Sequence, residues 1–246
     1  MLQRKHKIAG GVIAVLVILG TLAVHVAGNK AAGFVSEMAD KQTVLHGKLQ
    51  IGHFSASVSG NVVFENVVWT APDGKKLAEV PEMNVSANLF DILKGSFGIN
   101  SINSISIEKP QFAVNYTDKD GLDIINYINF SDKDDETPTE FRGMVEITDG
   151  VLALDMNGQK LDFSNVEMQA NLKEFPDIKF TLQGKNGDAD LIGSIDKVYD
   201  DVTIGAEVKK LQITELMKVL PSFGELSITG GVINGAKLAA GLHDAY

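Results

Sequence analysis

The feature that most constrains this chain is an apolar run near its start, from Ile8 to Gly28, that holds no charged side chain. A helix of about twenty apolar residues spans the hydrocarbon core of a bilayer. Arg4, Lys5 and Lys7 precede the run and no acidic residue does, so the positive-inside rule places the N-terminus in the cytoplasm. Residues 1–28 are therefore predicted to form a basic tip and a single-pass anchor, with the rest of the chain exported.

A cleaved signal peptide is the alternative interpretation of this run. Such a peptide usually has an apolar region of only about 7–15 residues, followed by small residues at a cleavage site. The run here is longer, and Val24-His25-Val26-Ala27 is a poor cleavage site. We therefore expect the anchor to be retained.

Charge and cysteine content exclude several classes of function. The formal net charge is −10, although the first 28 residues hold only basic charges, so the exported body is strongly acidic. An acidic surface argues against nucleic acid as a partner and against docking on anionic lipid headgroups by charge. The absence of cysteine from the sequence excludes disulfides, thiol catalysis and cysteine-based zinc sites.

Enzymatic motifs are missing from the sequence. His46, His53 and His243 are scattered and have no neighbouring Ser/Asp pair or metal-ligand spacing. No glycine-rich motif of the kind that cradles phosphate is present. The sequence therefore predicts a protein that is not an enzyme and that needs neither cofactor nor metal.

Apolar periodicity changes after the membrane-proximal segment. Residues 29–46 place apolar side chains three to four apart, which predicts a short amphipathic helix. After Gly47 the period becomes two, which is typical of antiparallel strands with one buried face. The alternating sets are Met83, Val85, Ala87 and Leu89; Ile105 and Ile107; Phe112 and Val114; Ile178, Phe180 and Leu182; and Val202, Ile204, Ala206 and Val208.

Turn signals punctuate these strands at short intervals. Because Asx and Gly tolerate positive φ, these steps predict a meander of hairpins: Asp73-Gly74, Asp120-Gly121, Asp149-Gly150, Asn157-Gly158 and Asn186-Gly187, with Lys94-Gly95 as a further turn. The acidic segment 131–138 predicts an exposed linker between one β module, 47–130, and a second, 139–246.

The stretch from Gly47 to Phe130 resembles the N-terminal module of the AsmA/TamB family. The resemblance rests on spaced apolar and turn positions: Gly60, Val63 and Val67; Asp73-Gly74 with Leu77-Ala78; Leu89 to Gly95; Ile99, Ile102, Ile105, Ile107 and Pro110; and Asp120-Gly121 before Ile124 and Ile125. The later segments VEITDGVLALD and GELSITGGVINGAKL are similar to hairpins that follow in that family.

The resemblance implies a curved, groove-like antiparallel sheet behind an inner-membrane anchor, with the bulk of the chain in the periplasm. It implies that the groove shields lipid acyl chains and contributes to phospholipid transport to the outer membrane or to outer-membrane assembly. Phospholipid, the inner membrane through residues 8–28, and outer-membrane assembly proteins are the partners it implies. Acyl chains avoid water at about 0.8 kcal/mol per methylene, so an apolar trough needs no chemistry to hold them.

Candidate lining residues follow from the alternating sets. They are Val85, Ala87, Leu89, Ile105, Ile107, Phe112, Val114, Val145 and Ile147. The alternative is that these side chains form the closed core of a β-sandwich.

Two further alternatives stay open. The chain could be a membrane-tethered β-rich scaffold or adhesin that binds protein partners through sheet edges or loops. Members of the resembling family are commonly much longer, so we expect this chain to be a fragment or a small relative. A groove of this length would not span a periplasm alone.

Overall fold

The computed structural model describes residues 45–57, 59–88, 90–91, 101–117, 119, 121–127, 141–175, 177–198, 201–214 and 230–243. Strands dominate these residues, which confirms the mainly β class predicted from the alternating pattern. In chain order the strands are β1 (Lys48–Ala56), β2 (Asn61–Thr70), β3 (Lys76–Ala87), β4 (Ile102–Glu108), β5 (Gln111–Thr117), β6 (Gly121–Leu122), β7 (Met144–Met156), β8 (Gln159–Asn171), β9 (Ile178–Asn186), β10 (Ala189–Val198), β11 (Asp201–Lys209), β12 (Leu211–Gln212), β13 (Val232–Ile233) and β14 (Ala236–His243).

One large sheet contains most of these strands. Its order is β1-β2-β3-β4-β7-β8-β9-β10-β11-β14, with β5 beside β3 and β7 and with β6 beside β5; β12 and β13 form a separate pair. Neighbours pair antiparallel except at β7, which runs parallel to β4 and β5. The sheet is therefore mixed, which corrects the expectation of a purely antiparallel meander. Parallel neighbours need a long crossover, and the segment between Thr117 and Met144 provides it.

Strands β4 and β5 act as one long strand that bends at Lys109 and Pro110. Lys109 has φ 50°, and its N–H donates to the Thr148 carbonyl at 2.8 Å. The facing strand β7 has a bulge at the same level, where Asp149 has φ 53° and the register with β8 shifts. Asp149-Gly150 was expected to be a hairpin turn and instead lies inside β7, because the same tolerance of positive φ suits a bulge.

Three of the other predicted turns lie among the described residues, and each joins consecutive strands. Gly74, with φ 90°, lies between β2 and β3, and Gly187, with φ 58°, lies between β9 and β10. Asn157 and Gly158 join β7 to β8 with φ of 52° and 84°. Positive φ at both central residues of a two-residue loop matches the right-handed twist of the flanking strands.

The core lies on one face of the strands nearest the start of the sheet. Phe64, Leu77, Met83, Ile105 and Ile107 are each 0% exposed. A 3-10 helix, Asp123–Tyr127, packs Ile124 and Tyr127 against this core.

Polar contacts fix this helix to the sheet. Lys75 Nζ lies 2.6 Å from Asp123 Oδ2, and Asp123 Oδ1 accepts from the Asn115 N–H at 2.8 Å. The His46 N–H donates to the Tyr127 carbonyl at 2.7 Å, and Trp69 Nε1 donates to the His46 carbonyl at 3.1 Å. The first described residues are thus held against both the helix and β2.

Several predictions fall outside the described residues. They are the anchor in residues 1–28, nearly all of the amphipathic helix in 29–46, and the linker 131–138. Among the residues that the structure does describe, no helix has the length and apolar character needed to cross a bilayer.

Candidate functional site

Directly paired residues of neighbouring strands share a face of a sheet, and the register therefore shows which side chains form continuous rows. Two apolar rows cross the sheet on one face, which we call the apolar face. The first contains Phe54, Phe64, Met83, Ile107, Ile147, Met168, Leu182, Gly193, Ala206 and Leu238. The second contains Val62, Val85, Ile105, Val145, Ala170, Phe180, Ile195, Ile204 and Ala240.

The opposite face of the same strands is mostly polar. Between the two apolar rows, the register aligns Asn84, Ser106, Glu146, Gln169, Thr181 and Ser194 from β3 to β10. Gln169 Nε2 donates to Glu146 Oε1 at 3.1 Å across this face. From β3 to β10 the sheet therefore keeps one apolar and one mostly polar side, as the period-two pattern predicts.

The predicted lining residues lie at the buried end of the apolar face. Val85, Ala87, Ile105, Ile107, Val114, Val145 and Ile147 are all buried. Phe112 is half-buried against the same core, and Leu89 lies outside the described residues. The register brings Val85 beside Ile105 and Ile105 beside Val145, so these three side chains lie next to one another on one buried face. In this structure these side chains are core.

Exposure rises along each row toward the other end of the sheet. In the first row Met83 and Ile107 are 0% exposed and Met168 is 6% exposed, whereas Leu182 reaches 38% and Leu238 reaches 69%. In the second row Ile105 is 0% and Ile204 is 41% exposed. The apolar face thus emerges from the core between β8 and β9. We call its exposed end the C-terminal patch, formed by Phe180, Leu182, Ile195, Ile204, Ala206, Leu238 and Ala240.

Small residues form a depression within the C-terminal patch. Gly193 and Ala206 are paired neighbours, with Leu182 and Leu238 beyond them on β9 and β14. A Cβ added at Gly193 would meet only the Leu182 carbonyl oxygen, at 3.9 Å. On the same two strands Ile195 and Ile204 flank this row on one side, and Leu191 and Val208 flank it on the other. The arrangement is an apolar depression at Gly193 and Ala206 with larger apolar side chains around it, and we call the row from Leu182 to Leu238 together with these flanking side chains the channel.

The channel has a width that follows from strand geometry. Leu191 and Ile195 are four residues apart on β10, which separates their Cα atoms by roughly 13 Å. Strands β9, β10, β11 and β14 are consecutive neighbours, so the channel extends over three interstrand spacings, or roughly 14 Å. Several exposed apolar side chains that adjoin one another often mark an interaction site, whereas single exposed apolar side chains are ordinary on protein surfaces.

Ionisable groups with displaced pKa values lie away from this patch. Burial raises the pKa of Tyr127, and the carboxylates of Asp73 and Asp123 raise it further. Hydrogen bonds from Lys237 and then Lys209 lower the pKa of Glu207, which lies on the polar face of β11. Within the described ranges, no three His, Asp or Glu side chains are placed to hold a metal ion.

Sequence reasoning identified these strands but not the patch. The alternating sets in β9 and β11 were recognised, yet their residues were not proposed as lining because periodicity gives the face and not its cover. The signal that distinguishes the patch is the small pair Gly193 and Ala206 inside an apolar row, which is visible only once the register aligns them.

Comparison of the chain with family models, curated proteins and solved structures finds no match. The resemblance to the AsmA/TamB family therefore remains a prediction from the spaced sequence pattern.

Proposed function

We propose that this chain is an inner-membrane-anchored, periplasmic protein that shields lipid acyl chains on an apolar sheet face. In this role it contributes to phospholipid transport to the outer membrane or to outer-membrane assembly. The observation that carries the proposal is the pair of apolar rows that leave the core and become exposed at β9, β10, β11 and β14.

The surface suits an acyl chain better than a polar ligand. Each methylene moved from water onto apolar surface gains about 0.8 kcal/mol, and the gain needs no directional contact. An acyl chain lying in the channel would meet Leu182, Ala206 and Leu238 in turn. The buried lining residues predicted from sequence would then form the closed end of the same face. Phe180, which is half-buried against the core, would lie at the boundary between the buried and the exposed part of the apolar face.

Anchoring belongs to the same proposal. An apolar run at residues 8–28 would hold the sheet beside a lipid source. If the sheet is curved and groove-like, the exposed channel and the buried part of the apolar face would form one continuous surface.

A scaffold function is the second candidate, and one observation favours it. Strand β14 is the last strand in the order of the large sheet, and its residues 236–241 are exposed. Among the described residues no strand pairs with its outer side, and such an edge can accept a strand of a protein partner.

Mass spectrometry of lipid bound to the full-length chain, purified in detergent and exposed to bacterial phospholipid, tests the proposal. We expect stoichiometric phospholipid in the wild type. Leu182→Asp should lose most of this lipid, because the substitution would place a carboxylate in the channel. Thr181→Asp is the matched control, since Thr181 is exposed on the polar face of the same strand. It should retain lipid.

Two outcomes would favour the scaffold instead. One is a folded wild-type chain that never carries lipid; the other is equal lipid loss in Leu182→Asp and Thr181→Asp. A proline within β14, such as Ala239→Pro, would then be expected to abolish capture of a protein partner.

A further inference from the structure

Strand β14 forms an edge of the large sheet. It pairs with β11 on its inner side, and among the described residues no strand pairs with its outer side. In an antiparallel ladder, alternate residues direct their N–H and C=O groups away from the existing partner. The outer side of β14 therefore presents backbone groups that can bind a further strand.

This edge lacks the features that usually prevent edge-to-edge pairing. Proteins protect such edges with proline, bulges, short strands or charged side chains, lysine above all. Strand β14 has eight residues and no proline, and its register with β11 is unbroken over its whole length. Its single lysine, Lys237, forms an ion pair with Glu207 of β11 at 3.1 Å. The charge that could protect the edge is thus compensated within the same copy.

The apolar side chains of β14 are complementary to a second copy of the same strand. Directly opposite residues share a face of a sheet, so antiparallel pairing of two identical strands must join even-numbered residues to even-numbered ones. With Ala239 on a two-fold axis, Leu238 lies opposite Ala240 of the second copy. In the same register Ala236 lies opposite Leu242. Each leucine therefore meets an alanine, which lets large and small side chains interdigitate.

The same register keeps like charges apart on the polar face. Lys237 lies opposite Gly241 of the second copy, and Ala239 lies opposite its own counterpart. The two copies of Lys237 are then four residues apart along the strands, or roughly 13 Å. This separation exceeds the Debye length of about 8 Å at physiological ionic strength, so their repulsion is screened.

Pairing of this kind would also extend the apolar face. The first apolar row ends at Leu238 and the second ends at Ala240. Because the register places these two residues opposite each other, each row of one copy continues into the other row of the second copy. The two C-terminal patches would then form one surface.

The other edge of the sheet, β1, does not offer the same match. Leu49 and Ile51 pack against the core, and so does Phe54, three residues further on. The alternation therefore changes phase at Gly52, where the pairing with β2 is interrupted. A regular strand such as β14 would share a face with β1 on only one side of Gly52, which disfavours head-to-tail contact between copies.

We propose that two copies of this chain associate through β14, antiparallel and about a two-fold axis at Ala239. The large sheet then continues from one copy into the other. This inference goes beyond the proposed function and requires no lipid. A contact made by one pair of strands is small, and small interfaces are typical of weak, reversible association.

Single-cysteine crosslinking tests the contact, because the sequence contains no cysteine. The full-length chain, concentrated in detergent, is treated with a bis-maleimide shorter than three interstrand spacings, or roughly 14 Å. Ala239→Cys should form a covalent dimer, because directly opposite Cα atoms lie about 5 Å apart. Thr203→Cys, exposed on the same face of β11, is the matched control and should give only background crosslinking. Equal yields from the two variants would overturn the proposal.

A dimer made by stacking two apolar faces is the competing arrangement. Leu182 lies on the apolar face of β9, away from the β14 edge. Adding Leu182→Asp to the Ala239→Cys chain should therefore leave the crosslinking yield unchanged. Loss of the crosslink in this double variant would indicate face stacking and contradict pairing through β14.

Charge substitutions at Gly241 test the register. A Cβ at Gly241 meets open space, so Gly241→Lys and Gly241→Glu should both fold. The introduced lysine would face Lys237 of the second copy, whereas the introduced glutamate would pair with it, and the two-fold axis creates two such contacts. Sedimentation equilibrium should give dimer dissociation constants that differ by about tenfold, with Gly241→Lys the weaker dimer. Equal dissociation constants would overturn the register centred on Ala239.

Discussion

The two ends of the large sheet have the same alternating pattern but opposite exposure. On β3 and β4, Met83 and Ile107 are paired neighbours and both are 0% exposed. On β11 and β14, Ala206 and Leu238 are paired neighbours in the same row, and Leu238 is 69% exposed. The difference teaches that alternation specifies which side chains share a face, whereas the cover over that face comes from other parts of the chain.

Equal truncations at the two ends should have unequal effects on stability. Ile107→Ala should lower the free energy of unfolding by about 2–5 kcal/mol, because it leaves a cavity in a closed core. Ile204→Ala should cost less than about 1 kcal/mol, because that side chain is 41% exposed. Urea unfolding followed by circular dichroism and by the fluorescence of Trp69, the single tryptophan, measures both. Similar losses would mean that the patch is covered in solution.

Lipid should protect one end of the sheet and not the other. A ligand present at 100 times its dissociation constant stabilises what it binds by about 2.7 kcal/mol. Backbone amides of β10 and β11 should therefore exchange hydrogen more slowly when phospholipid is added to the chain, whereas those of β3 and β4 should not change. Uniform protection, or none, would contradict the assignment of the channel to the C-terminal patch.

Added methyl groups should also distinguish the closed from the open end. A Cβ at Gly143 would lie 2.7 Å from the Asn103 carbonyl oxygen and 2.5 Å from the Phe141 ring, so Gly143→Ala should cost about 1–3 kcal/mol. Gly193 has open space, and Gly193→Ala should change stability by at most about 0.5 kcal/mol. Thermal unfolding midpoints compare them. A large loss in Gly193→Ala would show that the channel floor is packed.

The smallest expected effect concerns the pairing of β11 with β14, at the exposed end of the sheet. The lysines beside Glu207 hold its pKa below its ordinary value of 4.5, so this carboxylate stabilises the β11–β14 pairing above that pH. The contribution is lost as pH falls through the lowered pKa of the folded chain. Amides of β14 should exchange faster in that acidic range relative to β3, after correction for the intrinsic rate. Glu207→Gln should remove this pH step.

The sequence predicted strands, faces and most turns, because these follow from period-two alternation and from local φ preferences. Asn157-Gly158 is a turn as expected, whereas Asp149-Gly150 is a bulge, since the same local preference serves either purpose. The parallel alignment of Ser104 with Met144 could not be predicted, because it depends on a crossover between distant segments. For the same reason the sequence left open whether Ile107 lines a groove or lies in a core, and in the structure it is buried.

A polar pocket at the β9–β10 turn, lined in part by Lys160 and Lys210, could not be predicted from the sequence. The two residues are far apart in sequence and carry no shared motif. Both line the pocket because β8 and β10 flank β9 and because the chain turns at Lys210.

The parallel junction between β4 and β7 governs the order in which the chain can fold. Hairpins such as β2–β3 and β7–β8 close over short connections, so their loop-closure entropy is small. Pairing Ser104 with Met144 joins residues separated by the whole crossover, and it is rewarded only after that larger entropy cost. Each antiparallel half should therefore form its hairpins before the two halves join, and the rate-limiting step should be the alignment of β4 and β5 along β7.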